Sequence, residues 1–326
     1  MRKITINKND SGKRLDKFIK NSFPRIPENL VQKYIRKKRI KINEKKVTDP
    51  SFKLSQNDVL ELYINDEFFE PLSYAQEFKR APSNIDIVYE DENIMLVNKK
   101  PGLIVHPDAD FQIDCLINRI RNYLFKKGEY NPELENSFSP SLVNRIDRNT
   151  GGIVIAAKNA EALSILNEKI KNHEIHKKYL CIVCGKVNPK PGTLTGYLEK
   201  NSKENKVYIN SKKPKISECK SIVTKYRAIE TGKNFSLLEI DLLTGRTHQI
   251  RAHMAWAGHP LLGDGKYGQN SVNRQKKYSY QSLYSYKISF DFKENSGILD
   301  YLNGKSFEIP KEKIWFIKDF YENLMD

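Results

Sequence analysis

The chain has 326 residues, of which 39% are apolar, and a formal net charge of +16 at pH 7. This length suffices for two domains or one large one, and the apolar content suffices for a core. Four cysteines are too few for a disulfide scaffold, no apolar run is long enough to span a bilayer, and the first residues lack the apolar centre of a secretory signal. We therefore expect a cytoplasmic protein that does not contact a membrane.

The positive charge is concentrated near the start of the chain. Residues 1–64 contain 17 Lys and Arg against 7 Asp and Glu, which is a net charge of +10 out of +16. This asymmetry predicts a module that binds a polyanion. An anionic membrane surface is the alternative, but it favours an amphipathic helix with an uninterrupted apolar face, whereas this region has a compact pattern of helices and strands.

The basic N-terminal part predicts a small unit. Strand patterns at 3–6 and 55–64 enclose helical patterns over 13–23 and 28–38 and a strand, turn and strand over 39–47. Cations follow the outer face of the second helix and the next strand: Lys33, Arg36, Lys37, Lys38, Arg39, Lys41, Lys45 and Lys46. Such cations contact phosphates and give salt-dependent affinity without reading bases, although a solvated helix face is the simpler alternative.

Residues 65–83 contain acids and two prolines but little pattern, and we interpret them as a linker to a second unit over 84–326. This unit opens with a predicted hairpin of strands over 85–90 and 93–100, and a helix over 115–127 follows. The later patterns predict a helix over 160–172, strands over 177–187, 193–199, 206–210, 220–230 and 236–242, a helix over 247–258, two short strands within 281–292 and a helix over 312–325.

The stretch from Leu142 to Lys158 has the most distinctive composition. It places Asp147 between Arg145 and Arg148, and the apolar run at 152–157 then predicts a short buried strand. An acid on a turn before a buried strand lies at a sheet edge, where loops carry chemistry on a rigid support. The alternative is a solvated turn with a surface salt bridge.

The remaining inventory is narrow. The sequence has no P-loop, no Rossmann glycine pattern and no nucleophile elbow, and it offers no second carboxylate in a setting like that of Asp147. Cys181 and Cys184 lie three apart on a predicted strand and point to opposite faces, so we expect no shared metal. Chemistry at one carboxylate without metal or cofactor includes breaking and remaking the glycosidic bond of a nucleoside.

Three ordered motifs carry a resemblance to a known family. NRIDRNTGG at 144–152, KKYLCIVCG at 177–185 and TGRTHQIRAH at 244–253 resemble the signature motifs of the RluA-type pseudouridine synthases. The segments 97–107 and 259–268 also match, and the resemblance extends over about 84–316. It implies conversion of a uridine in RNA to its carbon-linked isomer, without a cofactor.

The N-terminal part is similar to the S-four-like (alpha-L) RNA-binding domain at 14–18, 34–43 and 57–62. The two resemblances together imply an α+β protein, in which a small α/β domain precedes a mixed, mostly antiparallel β-sheet domain with flanking helices and a central cleft. The combination resembles the RluC-like subset, which implies 23S ribosomal RNA of the large subunit as substrate. We expect a monomer with RNA as its partner and no protein partner.

The motif match implies a role for individual residues. Asp147 is the expected catalytic carboxylate, and Arg251 is the cation that keeps it ionised in a pocket dry enough for a base. Tyr179 is expected to stack on the uracil and to handle a proton. Arg145 is expected to fill the gap left by a flipped nucleotide.

Further RNA contacts are expected at Arg148, Arg246 and His248. For Arg246 and His248 a purely structural, hydrogen-bonded role is an equal alternative. His106 and His259 are expected to be structural, and Asp264 to form a turn rather than to catalyse.

The sequence departs from the family at three places. Asn144 replaces the usual histidine, Gly151 replaces a serine, and Leu283-Tyr284-Ser285 stands for Leu-His-Ala. These departures bear on the choice of substrate more than on the reaction. A synthase acting on tRNA and a non-catalytic RNA-binding or ribosome-assembly factor remain alternatives, whereas a nuclease is disfavoured because no cluster of metal ligands is present.

Overall fold

The computed structural model describes residues 1–70, 76–108, 112–214 and 219–325. The N-terminal elements are β1 (Arg2–Thr5), α1 (Leu15–Ser22), α2 (Glu28–Arg36), β2 (Ile40–Ile42), β3 (Lys45–Lys46) and β4 (Val59–Leu62). The four strands form one sheet in the order β1-β4-β2-β3. Both helices pack on it through apolar residues at helical spacing, such as Leu15 with Ile19 and Val31 with Ile35.

A polar contact joins this small sheet unit to the rest of the chain. Asp10 is fully buried and accepts hydrogen bonds from Asn136 Nδ2 at 2.9 Å and from the Ser137 hydroxyl. Asn9 Oδ1 accepts a hydrogen bond from the Ala160 backbone N–H at 3.1 Å. The N-terminal unit is therefore held to the larger part by partly buried hydrogen bonds.

The larger part begins with β5 (Ile87–Glu90) and β6 (Ile94–Lys99), the predicted hairpin. The elements that follow are α3 (Leu116–Lys127), β7 (Ser141–Leu142), β8 (Gly151–Ala157), α4 (Ala160–Lys171), β9 (Ile175–Cys184), β10 (Gly192–Asn201), β11 (Lys206–Asn210), β12 (Lys220–Thr231), β13 (Phe235–Leu242), α5 (Gln249–Trp256), α6 (Asn270–Gln275), β14 (Leu283–Phe290), β15 (Ser306–Glu308) and α7 (Ile317–Asp319). In this described part, no helix has the length and apolarity needed to cross a bilayer.

Eleven strands form one sheet in the order β11-β10-β12-β13-β9-β14-β8-β6-β5, with β15 paired to β14 and β7 to β8. The β14–β8 pair is parallel, and the other pairs are antiparallel. The predicted α+β class with a mixed, mostly antiparallel sheet and flanking helices is confirmed.

Strand β8 lies inside this sheet, between β14 and β6, and is buried at every position. Ile153 and Ile155 belong to the apolar cluster on one face, whereas Val154 and Ala156 belong to the cluster on the other. Burial on both faces explains why the strand is continuously apolar instead of alternating. On β9, Cys181 belongs to the cluster that contains Val154, and Cys184 packs against the cluster that contains Ile153. The two cysteines therefore point to opposite faces of the sheet, as predicted.

Two predictions for the C-terminal part are wrong. The pattern at 281–292 forms one strand, β14, rather than two, because it pairs with β9 along its length and accommodates an irregularity between Ser285 and Lys287. The expected helix over 312–325 is broken into short helical turns. Ile314 and Phe316 are both buried but lie on opposite sides of any single α-helix, so core burial overrides helical continuity.

His253 on α5 couples folding stability to pH. Its side chain is fully buried, and burial lowers its pKa to about 4. The unfolded chain therefore binds more protons than the native one between pH 6.5 and pH 4, so stability falls as pH falls through this window. From pH 7 to pH 5 we expect this residue to contribute a loss of about 2 kcal/mol in the free energy of unfolding.

Urea denaturation at the two pH values measures this effect. The loss is expected to shrink in His253→Gln and to persist in His173→Asn, since His173 is exposed. An equal pH dependence in the wild type and in His253→Gln would contradict the assignment.

Candidate active site

The site is built around the turn between β7 and β8. This turn presents Asp147, whose side chain is 25% exposed. Arg251 reaches it from α5 and donates a hydrogen bond from Nη1 to Asp147 Oδ2 at 2.8 Å. The structure thus brings together the expected carboxylate and its expected cation, which are 104 residues apart in the chain.

A second carboxylate, Asp264, holds the same guanidinium. Arg251 donates from Nε to Asp264 Oδ2 at 2.7 Å and from Nη2 to Oδ1 at 2.9 Å, and Asp264 is fully buried. Burial alone would raise the pKa of Asp264, but Arg251 and the backbone N–H groups of Lys266 and Tyr267 lower it below its ordinary value. Arg251 is therefore locked into one orientation, with its remaining nitrogen directed at Asp147.

Asp264 was expected only to form a turn. Its carboxylate does accept the backbone N–H of Lys266 at 2.8 Å and that of Tyr267 at 3.1 Å, as a turn former does. Its ion pair with Arg251 was missed in the sequence. The only available signal was its place in the segment 259–268 that resembles the family.

Tyr179 lies on β9 and is 4% exposed. Burial raises its pKa to about 12, an effect that Ser285 opposes and Asp147 reinforces. The phenol is consequently neutral at physiological pH and able to donate a proton or a hydrogen bond.

Lys99, at the end of β6, is a further residue that the sequence did not single out. It is 1% exposed, and its Nζ donates to the carbonyls of Leu103 at 2.7 Å, Arg148 at 2.8 Å and Lys100 at 3.0 Å. Burial lowers its pKa to about 7, and Asp147 acts in the opposite direction. The three carbonyls match the three N–H groups of the ammonium form, so Lys99 ties the turn that follows β6 to the turn that carries Asp147.

The two arginines beside Asp147 have different surroundings. Arg145 is exposed, and together with Arg121 it adds to the effect of burial in lowering the pKa of His106. Arg148 donates to Asp108 at 2.9 Å and to Gln112 at 3.2 Å. Both arginines are exposed, and Arg148 is in addition tied by these bonds to Asp108 and Gln112.

The turn into α5 places the other expected RNA contacts. Arg246 is exposed, and its backbone N–H donates to Gln249 Oε1 at 3.2 Å. His248 is half-buried, has a left-handed backbone with φ of 53°, and lies 3.0 Å through Nδ1 from the Tyr267 hydroxyl. The His248 side chain makes no capping hydrogen bond to the helix, but its contact with Tyr267 is a hydrogen bond of the structural kind weighed as the alternative. An RNA contact at Arg246 and His248 stays a prediction.

Two of the departures from the family, Gly151 and Tyr284, are complementary in space. A Cβ atom on Gly151 would lie 2.4 Å from the Tyr284 ring, so the larger Tyr284 requires the glycine. The Tyr284 hydroxyl donates to Asn98 Oδ1 at 2.7 Å. Asn144 Oδ1 accepts the Ile155 backbone N–H at 2.8 Å and anchors the Asp147 turn to β8.

The cations on α2 and after it form an exposed surface, which we call the basic face. Its exposed members are Lys33, Arg36, Lys37, Lys38, Arg39, Lys45 and Lys46. Lys41 is half-buried, with its Nζ 4.0 Å from Glu61. The exposed cations are thus available to a polyanion.

A cavity of about 800 Å³ lies beside the site and is lined by residues 84–86, 97–104, 112–114, 116 and 119. Lys99 lines this cavity, whereas Asp147 does not and is partly exposed to solvent. Within the described ranges, no three His, Cys, Asp or Glu side chains lie close enough to hold a metal ion.

Comparison with known families gives two matches. The RNA pseudouridylate synthase family matches residues 93–256, and the S4 domain family matches residues 13–60. The first match includes Asp147, Tyr179 and Arg251, and the second includes the basic face.

Curated relatives align over most of their length. An uncharacterized RNA pseudouridine synthase of Mycoplasma capricolum is 35% identical over 94% of this chain and 96% of its own. The ribosomal large subunit pseudouridine synthase D of Borreliella burgdorferi is 30% identical over 84% and 83%, and the synthase C of Buchnera aphidicola is 31% identical over 85% and 84%.

A solved structure shows the same fold. The human RNA pseudouridylate synthase domain containing 1 superposes with a TM-score of 0.54 at 23% identity, covering 74% of this chain and 86% of that one. The resemblance inferred from the motifs is therefore confirmed. The chain belongs to the RNA pseudouridylate synthase family and is an RNA pseudouridine synthase with an S4 domain.

Proposed function

We propose that this synthase isomerises specific uridines of large-subunit ribosomal RNA, with Asp147 as its single catalytic carboxylate and without a cofactor. The observation that carries the proposal is the contact of Arg251 with Asp147, in which the fully buried Asp264 fixes the guanidinium. A carboxylate that is partly open to solvent and has only one oxygen paired with a guanidinium leaves its other oxygen accessible to a substrate.

The reaction conserves the atoms of the nucleoside. The bond from C1′ of the ribose to N1 of uracil breaks, the base turns, a bond from C1′ to C5 forms, the proton leaves C5, and N1 gains a proton. Arg251 binds Oδ2 of Asp147, and Oδ1 has no hydrogen-bond partner in the described part of the chain. We assign Oδ1 to the reacting face of the carboxylate.

Tyr179 supplies the apolar surface and the proton chemistry in this proposal. Its ring is packed in the core cluster beneath the site, and its phenol is neutral. A neutral phenol stacks on uracil and relays the proton lost from C5.

Base flipping brings the uridine to Asp147. Chemistry on a paired nucleotide requires its extrusion from the helix, and a planar cation stacks well in the gap. Arg145 is exposed two residues before Asp147, which supports this role.

The choice of ribosomal RNA is supported by the relatives and by the basic face. Two relatives at 30% and 31% identity are named ribosomal large subunit synthases. We propose residues 1–64 as the RNA-binding domain, 65–83 as the linker and 84–326 as the catalytic domain. The basic face contacts phosphates and adds affinity without base specificity.

Mapping of pseudouridines tests the proposal. Total RNA from cells with and without the gene is compared, and purified enzyme is then given 23S rRNA fragments and tRNA. We expect lost modifications in large-subunit rRNA that the enzyme restores in vitro. If the lost pseudouridines were confined to tRNA, the proposed rRNA substrate would be wrong. If no pseudouridine were lost, the proposed reaction would be wrong.

The basic face is tested by a charge substitution in the full chain. In Lys33→Gln/Arg36→Gln/Lys37→Gln, the affinity for an RNA fragment should fall, and the slope of log affinity against log salt should decrease by about 2–3 because three phosphate contacts are lost. Filter binding over a salt series measures both.

The matched control replaces three exposed lysines near the C-terminus: Lys305, Lys311 and Lys313. It removes the same charge from the chain and should leave the slope within about one unit of the wild-type value. Equal effects of the two triple variants would show that net charge, not the basic face, governs binding.

A further inference from the structure

We propose that His248 contacts the substrate as a neutral hydrogen-bond donor, giving its Nε2–H to a carbonyl oxygen of the target uracil, and that Tyr267 fixes this tautomer. The carbonyl as acceptor rests on the isomerase function proposed above. The tautomer and its cause rest on the structure of the site alone.

The backbone of His248 is in a sparsely populated conformation. Its φ of 53° and ψ of 15° are left-handed values that disfavour a residue with a side chain. The imidazole makes no capping hydrogen bond, and Gln249 instead accepts the free N–H of Arg246. The strained conformation therefore aims the ring rather than completing the helix.

Hydrogen bonding at Tyr267 determines which imidazole nitrogen carries the proton. The Tyr267 phenol oxygen accepts the Val207 backbone N–H at 2.8 Å, and its own proton remains available as a donor. His248 Nδ1 lies 3.0 Å from this oxygen, and we assign it as the acceptor of that proton. In the neutral ring the hydrogen is then on Nε2.

Tyr267 is itself held by the frame that orients Asp147. Its backbone N–H donates to Asp264 Oδ1 at 3.1 Å, and the Arg251 guanidinium lies over its ring at 5.3 Å. The His248 and Tyr267 rings meet edge to face, with centroids 5.7 Å apart. The imidazole is thus tied to the guanidinium and carboxylate that position Asp147.

The charges around His248 favour its neutral form. Burial lowers its pKa most, and Arg251 and Lys266 lower it further, against Asp147 and Asp264, which raise it. In the described part of the chain, Nε2 has no hydrogen-bond partner. A neutral donor beside the reactive carboxylate fits a neutral acceptor, and the uracil carbonyls are the neutral oxygens of the reacting base.

Two substitutions at position 248 separate the ring nitrogens. An Asn amide reaches the position of Nδ1, whereas a Gln amide reaches the region of Nε2. We expect His248→Asn to lower kcat/KM by roughly tenfold, which matches one lost hydrogen bond, and His248→Gln to recover most of that loss. Equal losses in the two variants would overturn the proposal.

Salt distinguishes a carbonyl from a phosphate. If the acceptor is neutral, the loss in His248→Asn has the same factor at about 50 and about 200 mM salt. A loss that shrinks at high salt would identify a phosphate contact and overturn the assignment to the base.

Nitrogen-15 spectra of the histidine rings in the full chain test the tautomer independently of activity. We expect the Nε2-protonated form of His248 at pH 7, identified by its absence in His248→Gln, and a mixture of tautomers in Tyr267→Phe. An Nδ1-protonated or cationic His248 in an enzyme that forms pseudouridine would overturn only this proposal. A wild-type enzyme that forms no pseudouridine would overturn the reaction proposed above and leave the spectra to report on the tautomer.

Discussion

Replacement of Asp147 by Asn should abolish pseudouridine formation while RNA affinity stays within about threefold of wild type. The Asn side chain has nearly the same shape, and its carbonyl oxygen can still accept the hydrogen bond from Arg251 at the position of Oδ2. It lacks the negative charge, and loss of a group that acts on the reacting atoms costs on the order of 10⁴-fold or more in kcat.

Single-turnover assays on an RNA fragment measure the rate, and filter binding at fixed salt measures affinity. Asp114→Asn is the matched control, because Asp114 is a half-exposed acid whose partner is Arg119. It should keep wild-type turnover. Product formation by Asp147→Asn at a comparable rate would refute the role of the carboxylate.

Among the single substitutions proposed, Arg251→Met should cause the largest loss in the free energy of unfolding. The change leaves Asp264 as a fully buried carboxylate that has lost its cation, with only two backbone N–H donors. Breaking a buried pair in this way costs about 3–5 kcal/mol of unfolding free energy. Activity should also be lost, because Asp147 loses its partner.

A double variant separates the two roles of Arg251. In Arg251→Met/Asp264→Asn no unpaired charge is buried, and the Asn oxygen still accepts from Lys266 and Tyr267. We expect urea denaturation to show that a large part of the lost stability returns while turnover remains absent. Recovery of turnover would mean that Arg251 serves folding alone.

Arg119→Met is the control for the loss of an ion pair as such. The Asp114 carboxylate that it would leave is 52% exposed, and such pairs contribute less than about 1 kcal/mol. A loss in Arg251→Met no greater than in this control would contradict the buried role of the Arg251–Asp264 pair.

The parts of the fold that sequence predicts well are those with a local pattern. The buried strand β8, the hairpin of β5 and β6 and the helix that carries Arg251 all have the expected period, and their cores have the expected faces. The prediction of one helix over 312–325 fails because the apolar residues of this segment pack into a core whose shape is set by other elements. The local spacing of apolar residues does not reveal how distant elements shape the core.

In the site, too, the sequence predicts some residues and not others. A motif match links Asp147 to Arg251, but the sequence does not reveal that Asp264 shares the guanidinium, because its turn composition explains it without any distant partner. The sequence does not reveal the role of Lys99 for a related reason. Its three acceptors are carbonyl groups, and backbone acceptors leave no mark on composition.

Gly151 and Tyr284 show that a departure from a family pattern is misjudged when each position is considered alone. Each is a departure from the family when taken alone, yet the glycine provides the space that the tyrosine ring occupies. The pair is one structural change, and it leaves Asp147 and Arg251 in contact.

The buried carboxylate of Asp10 has a geometric consequence for the choice of RNA. Because Asp10 and Asn9 fasten the small sheet unit to the larger one, the cations on α2 are held at a fixed offset from the Asp147 turn. With the roles proposed for the basic face and for Asp147, we expect a substrate to present phosphates and an accessible uridine at the distance that separates these two places. Recognition by distance would favour the folded shape of an RNA over the identity of the bases around the target.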